Sequence, residues 1–231
     1  MEVSVVSIKW TPSWRIIADR YPPIDFFERV ADKADWEELL ELESLTNPSA
    51  KASVGNIYLI PVQDRISGQG VGRILPAFTF LDPNPPGSRF SNSQFGAYYA
   101  AKEFITAMAE AKFRQEQFMQ ESGINSYQEL DQLVILANIA GDFHDIRGLQ
   151  NDLTEIYDLN DYSHSQAFAA RLRQQGSYGI VYNSVRQLSG ECIAVFRPPV
   201  ITKARQGERI VFQWDGKKIT GHYKKSDYRP M

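Results

Sequence analysis

Cysteine is nearly missing from the 231 residues. Cys192 stands alone, which excludes an intrachain disulfide and a thiolate framework for zinc, and which fits a reducing, cytoplasmic setting. Histidine is almost as scarce. His144, His164 and His222 lie far apart, and although His144 sits between Asp142 and Asp145, a solvated loop is the simpler reading, so no metal is expected. There is no excess of positive charge either: 25 Lys and Arg face 28 Asp and Glu, a formal net charge of −3. That excludes the broad basic face of a direct nucleic-acid binder. Apolar runs such as Leu133–Ala137 and Ile193–Phe196 fall far short of the roughly 18 residues of a membrane span, so no membrane association is expected. The segment Met1–Trp10 lacks the basic-then-apolar order of a secretion signal.

Several catalytic signatures are absent as well. No Gly-x-Ser-x-Gly elbow, Walker loop or His-Glu-x-x-His pair occurs. The glycine-rich stretch Ser67–Gly72 follows an apolar run, but Arg73-Ile74-Leu75-Pro76 comes next and cannot open the helix of a dinucleotide fingerprint.

What is present is an ordinary globular composition, 43% hydrophobic and 12% aromatic, enough for a packed core. Residues 1 to about 50 read as helical, with Asp35 placed to cap a helix and Glu38 three residues later. Ile57–Val62 reads as β, Ile74–Leu81 as a second extended stretch, and Asp82–Gly87, with three prolines, as a turn. Gly96–Ala101 reads as a strand that feeds the strongest helix, Lys102 to Met119. The Ser126–Glu129 capping box starts a second helix and Ser165–Gln174 forms a third. Tyr178–Tyr182, Glu191–Phe196, Arg209–Trp214 and Lys218–Tyr223 read as strands, with a hairpin turn at Asp215-Gly216. Separate β runs and helices give an α+β fold, a mixed sheet with flanking helices. The expected division is an N-terminal helical extension, residues 1–65, and a main domain, residues 66–231.

The candidate chemistry lies in Gly87–Phe90, Tyr98–Ala101 and Thr106–Glu110. Glu110 sits inside a helix with Thr106, Ala107, Phe113 and Arg114 at three and four residues' distance, a partly apolar face. The bland alternative is an i,i+4 surface pair between Glu110 and Arg114, worth about 0.3–0.5 kcal/mol. Arg89 has a structural alternative as a salt-bridging group, and Tyr98 or Tyr99 as core.

The series Ser88-Arg89-Phe90, Tyr98-Tyr99-Ala100-Ala101, Thr106-Ala107 with Glu110, then Gly179–Arg186 and Gly190–Pro198 resembles the RES domain family over roughly residues 70–215. The resemblance implies a core similar to ADP-ribosyltransferases and an NAD-consuming activity, as glycohydrolase or phosphorylase. It further implies the toxin role of RES–Xre toxin–antitoxin modules. Arg89 corresponds to the family arginine, Tyr99 to the tyrosine that follows it, Glu110 to the helix glutamate and Ser184 to the family serine. Phe90 replaces a common Trp, and Asn183 a common Pro. The implied partner is an Xre-type helix-turn-helix antitoxin that covers the NAD pocket and makes the DNA contacts. A two-fold homodimer is compatible with the chain.

These residue types suit that chemistry. Breaking the nicotinamide–ribose bond leaves an oxocarbenium-like ribosyl cation, which calls for a carboxylate, here Glu110. A diphosphate calls for a planar bidentate cation, Arg89 with Arg186 as a lesser candidate. Tyr99 can position nicotinamide or ribose, and the Ser184 hydroxyl can bond a ribose, amide or phosphate oxygen. NAD is then a substrate and no resident cofactor is implied. Water or inorganic phosphate is the acceptor. Two other readings keep the same residues: transfer of ADP-ribose to a protein, and a non-catalytic interaction module.

Overall fold

The chain begins with a strand where the sequence suggests a helix. In the computed structural model, which describes residues 3–20, 24, 26–29, 33–81 and 87–226, β1 spans Val5–Ala18. Its first half alternates exposed Val5, Ser7 and Lys9 with inward Val6, Ile8 and Trp10, the period-two pattern of a half-buried strand. Pro12 is accommodated because the pairing is irregular between Trp10 and Ser13, and an interrupted ladder needs no N–H from proline.

Short helices follow: α1 (Phe26–Arg29), α2 (Trp36–Thr46) and α3 (Ala50–Val54). Asp35 precedes α2 but makes no side-chain cap bond; the helix is held by burial of Trp36 and Leu40. Ile57–Leu59 and Val62–Asp64 are 3-10 turns instead of a strand. The Asn56 side chain accepts the Tyr58 N–H at 3.1 Å, an Asx turn that competes with extension. The next expected strand is likewise replaced, by a 3-10 turn at Val71–Arg73 and by α4 (Pro76–Thr79), whose first position suits proline. The turn expected at Asp82–Gly87 lies, but for Gly87, outside the described residues.

β2 (Tyr98–Ala101) leads into α5 (Phe104–Glu121), the expected strand and helix. Beyond it the Ser126–Glu129 capping box starts no helix: β3 runs from Gln128 to Asp145. The box residues bond one another along the strand, Gln128 Nε2 to Ser126 Oγ and Tyr127 Oη to Glu129 Oε1, and the run Leu133–Ala137 behind them is suited to a covered strand. The rest follows the sequence pattern in α6 (Ser163–Gln174), β4 (Gly179–Asn183), β5 (Glu191–Val195) and β7 (Ile219–Lys224), whereas β6 (Ile201–Trp214) begins eight residues before the expected strand at Arg209.

The seven strands form one mixed sheet in the order β1-β2-β5-β4-β3-β6-β7, and β1 also pairs with β3. The ring β1-β2-β5-β4-β3 therefore closes on itself, while β6 and β7 extend β3. Among the described strand pairs only β3 and β4 run parallel. Alternation divides the central strands between two cores, and a third cluster packs Met108, Ala111 and Met119 of α5 against Val134, Phe212 and Trp214. Tyr98, Val181, Ile193 and Val195 pack with Phe27, Trp36, Leu40, Ile57, Ile74 and Phe78, so the segment before residue 65 is built into the main core and not added beside it. Ala101, Ile180, Tyr182, Cys192 and Ala194 face Phe90, Ala107, Phe168 and Leu172 on the other side. The partly buried ion pair of Arg197 with buried Asp64 locks the N-terminal layer to the end of β5. No described helix is long and apolar enough to cross a membrane.

Candidate active site

Arg89 sits in a tight turn closed by reciprocal main-chain bonds between Ser88 and Ser91. Two side chains hold that turn. Tyr99 Oη accepts the Phe90 N–H at 2.9 Å and shares a 3.1 Å bond with Ser91 Oγ, and Gln166 of α6 donates to the Ser88 and Ser91 carbonyls. Gly87 enters the turn at φ +73°, and a Cβ there would lie 2.9 Å from the Ser91 carbonyl oxygen. The Arg89 guanidinium is buried over the Tyr162 ring. Its Nη1 donates to the carbonyls of Ile156 and Asp158 at 2.8 and 2.7 Å, leaving the Nε and Nη2 donors without a protein partner among the described residues. Arg89 is thus an anchored fork with one edge open.

Glu110 arrives from α5. Ala107 and Ala111 are small and buried, so the helix lies close to the sheet, and the Trp14–Phe104 ring contact at 5.3 Å fixes its start. Glu110 Oε1 accepts the Ser184 hydroxyl at 2.6 Å and lies 3.8 Å from the Cys192 thiol. Ser184 Oγ in turn accepts the N–H groups of Arg186 and Gln187, both at 3.0 Å. One donated proton and two accepted bonds fill the hydroxyl's capacity, so it serves Glu110 and has none left for a ligand. Gly190 makes this approach feasible: a Cβ there would lie 2.7 Å from the buried Thr106 side chain of α5. The Glu110–Arg114 ion pair does not form. Arg114 instead donates to Ser88 Oγ, on the Arg89 turn.

Both halves open into one cleft of about 1310 Å³, lined among others by Arg15, Arg89, Tyr99, Glu110, Arg114 and Arg186. Arg15 comes from β1, donates to the Tyr99 carbonyl at 2.9 Å and lies over the Tyr98 ring. Arg186 rides on the Phe113 ring, 3.4 Å from its centroid, and donates to the Leu159 carbonyl. Among the described residues Arg15, Arg89, Arg114 and Arg186 form no ion pair with a carboxylate, and Glu110 forms none with a cation. Burial pushes the Tyr99 hydroxyl up, against the bonds from Ser91 and Phe90 and the nearby Arg114 and Arg89 charges. Burial, reinforced by the Glu110 charge, pushes the Cys192 thiol well up, so it stays a neutral thiol and no nucleophile.

The RES domain family model matches residues 63–215. The chain belongs to the RES domain family. A relative in Sinorhizobium fredii (strain NBRC 101917 / NGR234), the uncharacterized protein y4oC, is 27% identical over 212 residues, covering 90% of this chain and 84% of the relative. That similarity extends well beyond the RES match. The crystal structure of the M. tuberculosis MbcT–MbcA toxin–antitoxin complex is similar at 13% identity and a TM-score of 0.40, over 61% of this chain and 73% of that one.

Of the residues singled out in the RES sequence, Arg89, Tyr99, Glu110 and Arg186 line the cleft, and Ser184 stands behind Glu110. Of the two tyrosines, Tyr98 is core, its hydroxyl buried with no hydrogen-bond partner among the described residues, whereas Tyr99 faces the cleft. Sequence reasoning missed Arg15, because β1 was read as helix, and Tyr162, because its role depends on a loop 73 positions after Arg89 in the chain. The Val6, Ile8, Trp10 alternation was the signal that could have found Arg15.

Proposed function

We propose that this RES protein cleaves NAD at the nicotinamide–ribose bond and acts as the toxin of a toxin–antitoxin pair. One observation carries the enzymatic reading: Glu110, tied at one oxygen by Ser184 and without a cation partner among the described residues, shares a cleft with Arg15, Arg89, Arg114 and Arg186, which have no carboxylate partner among those residues. An anionic diphosphate joined to a centre that becomes cationic matches both halves at once. In the reaction the bond from ribose C1″ to the nicotinamide nitrogen breaks and its electron pair leaves with neutral nicotinamide. A new C1″–O bond forms to water, which releases a proton, or to inorganic phosphate, giving ADP-ribose or ADP-ribose 1″-phosphate. Glu110 stabilises the ribosyl cation electrostatically. Arg89 offers its open edge to the diphosphate, Arg186 is a further cation for it, and Tyr99 sets the Arg89 turn while its ring borders the substrate. Ser184 orients Glu110. Depletion of NAD would be the toxic act, and a cognate antitoxin of the Xre type would restrain it by covering this cleft.

Product analysis of purified protein incubated with NAD tests this, with and without phosphate. Free nicotinamide, with ADP-ribose or its 1″-phosphate, is the expected result. Intact NAD rejects the enzymatic reading, and ADP-ribose found on added protein acceptors in place of free product replaces it with protein modification.

A further inference from the structure

We propose that Arg114 is the residue through which this cleft takes a phosphate oxygen, from the diphosphate of the dinucleotide or from a free phosphate acceptor. The inference deepens the reading of the cleft as an NAD site and rests on it. Arg114 follows Glu110 by one helical turn, so the two side chains rise from α5 as neighbours, and both line the cleft. A ribose separates its anomeric carbon from its 5′-phosphate by only a few bonds. A carboxylate and a guanidinium one turn apart therefore match the two ends of a ribose phosphate.

The state of Arg114 also points to a ligand. It is exposed, has no carboxylate partner among the described residues, and uses one nitrogen, Nη2, on the neutral Ser88 hydroxyl. Ser88 is on the turn that presents Arg89, so the Arg114 bond bridges the two halves of the site. A phosphate oxygen is a far stronger acceptor than a hydroxyl and would displace it, leaving Arg89 and Arg114 converging on one anion from opposite walls. Arg15 and Arg114 repel each other beside Tyr99, and a bound anion would relieve that repulsion.

Arg114→Gln tests the inference, with Lys112→Gln as a control that removes the same charge from the same helix at a position outside the cleft. The expected result is a rise of about tenfold to a hundredfold in KM, with the loss falling on KM more than on kcat. A rise in KM for NAD measured without phosphate assigns Arg114 to the diphosphate. A rise confined to KM for phosphate, with the product ratio moving toward ADP-ribose, assigns it to the acceptor. Arg114→Lys should recover part of the loss, since it restores charge without the fork. Calorimetric titration of the wild type and both Gln variants with inorganic pyrophosphate, and separately with orthophosphate, reads the same site without turnover. It separates the two failures: if the wild type leaves NAD intact, weaker anion binding by Arg114→Gln alone still supports the anion site. Unchanged KM values, or anion affinity unchanged in Arg114→Gln, overturns it.

Discussion

On one edge of β5, Glu191 is bonded to Lys102 and Arg147, and Arg147 also grips Asp145, so that two carboxylates meet two cations. One residue along, Cys192 lies in the cleft beside Glu110, where this carboxylate and the guanidiniums of Arg15, Arg89, Arg114 and Arg186 line one space without an ion pair among the described residues. The same strand thus borders a neutralised cluster and an un-neutralised one. Surface charges that can pair do so at little cost, and such pairs contribute modestly. A set that stays apart is held apart: Glu110 by Ser184, Arg89 by two carbonyls, Arg15 by the Tyr99 carbonyl, Arg186 by Phe113. That arrangement leaves these charges unneutralised among the described residues, which is what the proposed NAD site requires.

The comparison breaks most sharply at its two glutamates. Glu110→Gln keeps the shape of the side chain and is expected to lower the rate of nicotinamide release by about 10²–10³-fold, the scale for losing one transition-state stabiliser, with Tm hardly moved. Glu191→Gln should do the reverse: about 1 kcal/mol of stability, some 2–4 °C in Tm, and activity within twofold. Rate assays and thermal melts on both variants decide the matter, and equal rate losses would erase the distinction between the clusters.

A smaller effect is expected behind the carboxylate. Ser184→Ala removes the proton that holds Glu110 Oε1, a bond to a charged group worth about 1.5–3 kcal/mol, so kcat should fall about tenfold to a hundredfold while KM for NAD stays close to the wild-type value. A KM effect as large as the kcat effect would mean that the hydroxyl touches substrate. Gly190→Ala, which crowds Thr106, should mimic it by pushing the 184–190 loop off α5.

Much of this architecture was legible in the sequence, and the exceptions have physical causes. The β4, β5 and α6 segments and the β2–α5 join were readable because alternation, helix propensity and glycine stops agree there. The long β3 was not, since a capping box stood at its start, and local hydrogen bonding gave way to the pairing of its apolar run on both sides. The Arg89, Tyr99, Glu110 and Ser184 set was found through resemblance, but the sequence did not reveal which atoms each would use. Ser184 could be read as a substrate ligand until its three bonds were counted. Arg114 could be read as the ion partner of Glu110, because i,i+4 spacing favours that pair on an isolated helix; only the turn carrying Ser88, brought in by Tyr99 and Gln166, draws it away.

The smallest expected effect concerns how the Arg89 anchor answers to pH. The Asp158 carboxylate accepts the N–H groups of Asp161 and Asn160, each at 2.8 Å, and these bonds hold it below the usual carboxylate range. Its own main-chain carbonyl is one of the two that fix Arg89. Because the folded form has the lower pKa, the stabilisation is fully present above the unfolded value of about 3.9 and is lost as pH falls through the folded value. Asp158→Asn keeps an acceptor oxygen but loses the charge. Its Tm should therefore lie slightly below that of the wild type at pH 7, by less than about 2 °C for so exposed a group. The gap should hold to pH 5 and close below pH 4, as the wild type becomes protonated and approaches the variant. A gap that persists in acid would show that the Asp158 side chain acts through shape alone, and that the Arg89 edge of the cleft, unlike the paired cluster at Glu191, owes nothing to a carboxylate.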